Sequence, residues 1–185
     1  MTTSPAYYAR PVVGLHWVIA LLIFAAFPLG VYMSDLPLSP DKLRLFSYHK
    51  WIGASVFALS LLRVAARVAF VPPALPAAMP RWERSAAVAM HALLFALIFA
   101  VPLSGWVMSS ATGFQTVWFG VLPLPDLVGK DKELAKSLEL LHKSLNIVLL
   151  VLVVIHVAAA LKHHVIARDD VLVRMLPWRR RPSAR

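Results

Sequence analysis

Four apolar runs, each long enough to cross a bilayer, constrain this chain before any other feature does. A hydrocarbon core of ~30 Å takes ~20 helical residues, and runs of that kind cover residues 12–33, 48–70, 86–109 and 137–161. None shows the period-two alternation of a membrane strand, and each is too long to be one. Composition agrees, since 59% of residues are hydrophobic and 15% charged, above and below the usual values for a soluble domain. The sequence predicts an all-α, transmembrane four-helix bundle, with residues 1–185 forming one integral membrane domain and no soluble domain.

The first run competes with a secretory signal, because Arg10 precedes it. Its length and its exit through YMSDLPLSP, which lacks a small-x-small cleavage pattern, favour a retained membrane helix. Orientation follows from the basic residues, which are held back on the cytoplasmic side. With four spans, both ends of the chain share a side with the second connection. That side carries 12 basic residues against Glu83, Asp169 and Asp170, while the other carries 7 against 6 acids. Both termini are expected in the cytoplasm.

The tail WRRRPSAR and the net charge of +10 raise the question of nucleic acid. A basic run just past a membrane helix reads instead as a topology anchor near anionic lipid, so the bilayer is the expected partner and nucleic acid is not. Cysteine is absent, which excludes disulfides, thiolate-held iron–sulfur clusters and covalent haem attachment through C-x-x-C-H. The connection VPPALPAAMP (residues 71–80) is too proline-rich to be helical and reads as a stiff linker. The outer connection, residues 110–136, carries the apolar stretch FQTVWFGVLPLP and reads as a half-buried cap over the outer end.

Histidines inside the spans demand a use, because imidazole is costly in hydrocarbon. Depth sorts them into two levels: His49 and His142 near the outer end, His16, His91 and His156 near the inner end. His142 and His156 are fourteen residues apart, which at ~1.5 Å and ~100° per residue puts them roughly 21 Å apart and within about 40° of one face. Zinc prefers four tetrahedral ligands, more than two histidines per level supply in spans with almost no acid and no cysteine. A b-type haem needs only one or two axial imidazoles and an apolar wall. Histidines at two matched depths therefore point to two haems, against the alternative of hydrogen-bonded packing residues or proton relays.

Four segments carry a family resemblance: GLHWVIALLIF, YHKWIGASVFALSLLRVAAR, MHALLFALIFAVPLSGWVMSS, and the stretch from LHKSL through KHH, RDD and RMLP. Together they resemble the bacterial cytochrome b561 family over nearly the whole chain. The resemblance implies a dihaem membrane cytochrome in which two histidines of the last helix each pair with one from the first or second. Depth then assigns His16 with His156 to the inner haem b iron, and His49 with His142 to the outer one. His91 stays as a competitor at the inner level, as a propionate partner, or as a packing residue.

Arg63 stands fourteen residues after His49, on nearly the same face at inner depth. It reads either as a haem propionate contact or as a side chain that snorkels, with Arg67, to the headgroups. Lys50 and Lys143 pose the same choice at the outer level. His163 and His164 follow His156 by about two turns and read either as a quinone contact suited to proton exchange or as an interfacial pair marking the helix end.

The resemblance further implies electron transfer across a bacterial inner membrane, with ubiquinone as acceptor. In its most concrete form the chain oxidises superoxide at the periplasmic side, a small anion that Lys42, Arg44, Lys50 and Lys143 would steer, although six acids share that side. The first alternative is a cytochrome b subunit that passes electrons between a dehydrogenase or hydrogenase partner subunit and quinone. The second is a transporter or proton channel without redox chemistry.

Overall fold

The computed structural model describes residues 5–76 and 79–177. The basic tail, with Arg179, Arg180, Arg181 and Arg185, lies outside the described residues. Four helices follow one another: α1 (Arg10–Asp35), α2 (Pro40–Ala69), α3 (Arg81–Thr112) and α4 (Lys132–Lys162). Each is long and apolar enough to cross a membrane, so the expected four-helix bundle is the architecture found. The end at which α1 and α3 begin is called inner, and the opposite end outer.

Helices α2 and α4 begin before their apolar runs because polar caps extend them. Ser39 accepts from the Lys42 N–H, with Pro40 in the first turn of α2. Asp131 accepts from the N–H groups of Glu133 and Leu134 at the start of α4. Gly113 ends α3 in the left-handed region, φ +80°, with its N–H on the last carbonyls. Packing is sequential: α1 lies on α2, α2 on α3 and α3 on α4, while α4 makes no comparably close backbone contact with α1 or α2. That leaves a cleft along the axis for side chains. Large apolar side chains such as Leu21, Val68, Leu140 and Val154 point outward, as lipid-facing residues do.

One departure from an all-α chain occurs at the outer end. Residues 110–136 include a two-stranded hairpin, β1 (Val117–Trp118) and β2 (Leu122–Pro123), paired Trp118 to Leu122. Phe119 and Gly120 make its turn with φ of +52° and +72°. Trp51 donates to the Val117 carbonyl at 2.6 Å, Lys50 to that of Phe114 at 2.8 Å, and Trp118 to Ser55 Oγ at 3.2 Å. The cap is thus tied to α2 within two turns of His49.

The inner end is closed differently. After α4 a π-helical turn, His163–Ala167, stops at Arg168, φ +52°. The chain then passes beneath the bundle to a short helical turn, Val173–Met175. Trp17 on α1 donates to the Met175 carbonyl at 2.6 Å, and Arg174 to the Ala74 carbonyl at 2.5 Å. The RDD and RMLP segments therefore form a strap joining α1, the linker and α4.

Candidate functional site

At the outer level α2 and α4 bring His49 and His142 together, ring centres 6.3 Å apart and planes at 87°. His49 Nδ1 lies 3.1 Å from the Ala26 carbonyl, and His142 Nδ1 lies 3.1 Å from that of Val101. A carbonyl only accepts, so each Nδ1 carries the proton and each Nε2 keeps its lone pair. Ser104 gives its hydroxyl proton to the Val101 carbonyl at 2.8 Å and accepts from His142 Nδ1 at 2.9 Å. Both imidazoles are therefore fixed in the tautomer that a metal ligand needs.

Close helix approach makes those contacts feasible. A methyl group added at Gly30 would stand 3.0 Å from His49 Cε1, and one added at Gly105 would stand 3.0 Å from His142 Cε1. Each glycine follows the accepting carbonyl by four residues, one turn along the same helix. Both rings border a cavity of about 50 Å³ walled mainly by apolar side chains including Phe27, Val56, Ile98 and Leu149.

The inner level gathers more groups. His16 and His156 have ring centres 6.3 Å apart with planes at 71°, while His91 and His156 are 5.4 Å apart. His91 Nδ1 donates to the Ala87 carbonyl at 2.7 Å. His16 Nδ1 is buried without a hydrogen-bond partner among the described residues, and so is Arg63 Nε. The Arg63 guanidinium sits over the Phe95 ring, 5.2 Å from its centre, and lies within electrostatic range of His16, His91 and His156.

Two opposed imidazoles limit what each level can hold. Among the described residues no group of three or more histidines and acids is arranged to hold an ion, so a metal here must bring most of its own ligands. An imidazole nitrogen bonds a metal at about 2 Å, with its ring centre roughly 1 Å beyond, so two rings across one metal stand about 6 Å apart. The two 6.3 Å pairs meet that separation, and the shorter His91–His156 distance fits it less well. Iron in a porphyrin, which needs two axial nitrogens and an apolar wall, fits this donor set.

The remaining sequence candidates lie at the two ends. His163 is held between carboxylates, Nδ1 at 2.6 Å from Asp169 and Nε2 at 3.7 Å from Glu83, which Lys162 also pairs at 2.6 Å. His164 is exposed on the π-helical turn. Of the outer cations, Lys42 donates to the carbonyls of Ser34 and Leu36, Arg44 pairs with Asp41 at 3.7 Å and Lys143 with Glu139 at 2.6 Å. Sequence reasoning missed Gly30, Gly105 and Ser104. A signal for the glycines was available: each stands fourteen residues after an inner histidine, His16 or His91, as His156 does after His142.

Comparison with known proteins gives a consistent result. The pattern of the prokaryotic cytochrome b561 family matches residues 7–178. Cytochrome b561 homolog 2 of Escherichia coli K12 is 34% identical over 177 residues, covering 95% of this chain and 94% of the relative. Cytochrome b561 homolog 1 of the same organism is 25% identical, covering 94% and 98%. A probable superoxide oxidase, CybB of Yersinia pestis, is 27% identical, covering 91% and 94%.

Proposed function

The chain belongs to the prokaryotic cytochrome b561 family, multi-pass bacterial membrane proteins that transfer electrons at b-type haem, and on that premise we propose that it carries electrons across the inner membrane between two haems. His49 and His142 hold the outer haem; His16 and His156 hold the inner one. One observation carries the reading: two imidazole pairs at two depths share a 6.3 Å ring separation. The redox class leaves the transporter and proton-channel alternative without support.

Haem supplies one-electron iron chemistry, and the protein sets its potential through ligands, charge and burial. The residues do the rest. The Ala26 and Val101 carbonyls hold the outer Nδ1 protons so that each Nε2 keeps its lone pair for a metal, and most of the surrounding wall is apolar. The excess of basic residues at the inner end supports a cytoplasmic location for that end and for both termini. Superoxide is the proposed donor at the periplasmic end, supported by the relative named a probable superoxide oxidase. Ubiquinone is the proposed acceptor. Its contact lies at the π-helical turn, where His164 is exposed and His163 is braced by Asp169.

Stopped-flow mixing of the purified, oxidised protein with superoxide tests the reading, with haem absorbance and quinone reduction followed together. Rapid haem reduction followed by electron delivery to ubiquinone is expected. Haem that stays oxidised under superoxide while a co-purifying dehydrogenase reduces it would assign the chain to the partner-subunit alternative.

A further inference from the structure

The two helical hairpins, α1–α2 and α3–α4, repeat one another in register. HWVIALLIFAAFPLG (residues 16–30) aligns without a gap on HALLFALIFAVPLSG (residues 91–105), sharing histidine first, glycine last and LIFA between. Along α2 and α4, His49-Lys50 matches His142-Lys143, and fourteen residues on Arg63 matches His156, each followed by Val-Ala-Ala. The structure keeps the correspondence. His49 meets the carbonyl of Ala26 and the face of Gly30 as His142 meets Val101 and Gly105, at the same distances of 3.1 and 3.0 Å.

At the inner level the repeat is broken at one position. The pair His16–His156 has a counterpart in His91 and Arg63, so duplication leaves one complete histidine pair and one in which an arginine replaces the second ligand. That arginine has no salt bridge among the described residues. Its Nε is buried without a hydrogen bond, and its guanidinium lies on Phe95. A chain that merely needed an interfacial cation has Arg67 one turn further toward the inner surface. A guanidinium is permanently charged, and a permanent charge in a low-dielectric site acts strongly on its neighbours.

Resting on the dihaem reading, we propose that Arg63 is a positioning residue that raises the reduction potential of the inner haem and so biases electrons inward. The oxidised haem carries one positive charge more than the reduced haem, so a fixed cation nearby disfavours oxidation. The sign is the same whether the charge acts directly or through a propionate. The electron gained at the inner site is the one lost at the outer site, and no proton or further reactant enters that transfer.

Potentiometric titration of the purified holoprotein tests this, with the outer haem as internal reference and a His49→Ala variant identifying the inner step. Arg63→Gln is expected to shift the inner reduction equilibrium about tenfold toward oxidation, about 59 mV lower for one electron, with the outer step unmoved. Arg63→Lys retains most of the wild-type value. Should Arg63→Gln lose the inner haem band, Phe95→Leu takes its place, since it frees the guanidinium from its seat and lowers the inner step. An inner step unchanged in these variants, or both steps falling together, overturns the role of Arg63. A wild-type protein without two haem steps overturns the dihaem reading instead.

Discussion

The outer and inner levels solve the same problem in opposite ways. At the outer level equivalent residues of two repeated hairpins face each other, and each imidazole is held by a carbonyl and packed on a glycine. At the inner level the paired residues come from non-equivalent positions, a third histidine stands close by, and an arginine fills the remaining place. Symmetry gives the outer site two identical supports, which suits a site that must be rigid. Broken symmetry gives the inner site a charge and a spare imidazole, which suits a site whose potential is set by its surroundings.

The sharpest way to break this comparison is to remove the ligands. His49→Ala or His142→Ala should abolish the outer haem band, and His16→Ala or His156→Ala the inner one, each leaving about half the haem in the reduced-minus-oxidised spectrum. His91→Ala should keep both. Loss of the inner band in His91→Ala with retention in His16→Ala would exchange their roles.

Next in size are the glycines. Gly105→Val and Gly30→Val place branched side chains where even a methyl group stands 3.0 Å from an imidazole carbon, and close-packed helices have no room to yield. Outer haem occupancy should fall several-fold while the inner band stays, as read from haem per protein after purification. Equal loss at both levels would mean that the glycines serve the bundle and not the outer site.

Smaller effects come from groups that only brace. Ser104→Ala removes one of two acceptors on His142 Nδ1, and a few-fold change in the outer reduction equilibrium is expected with no change at the inner level. Asp169→Asn weakens the clasp on His163. It should lower the melting temperature in detergent by a few degrees, since hydrogen bonds to charged groups contribute about 1.5–3 kcal/mol, while both haem spectra persist. A shift of the outer haem spectrum in that variant would show that the strap reaches further than its contacts.

The sequence made the spans, the two depths of histidine and the cap legible, because hydropathy and helical rise are properties of single segments. Gly30 and Gly105 escaped because a glycine's value at these positions lies in what another helix brings against it. Ser104 escaped for the same reason, since its partner is thirty-eight residues away on α4. The hairpin at Val117–Trp118 was hidden in a stretch too short to show alternation. For His163 the sequence left a quinone contact and an interfacial role open; the structure adds two carboxylates that only folding brings to it. The repeat was fully present in the letters, yet two helices must be laid over the other two before Arg63 appears in the place of a histidine.

The central claim is that two histidine pairs at two depths each hold one haem. Haem quantification of the purified chain, combined with a redox titration of its alpha bands, tests it most directly. Two haems per chain titrating in two separable steps is the predicted result; a single haem, or one step carried by His16, His49, His142 and His156 without distinction, contradicts it.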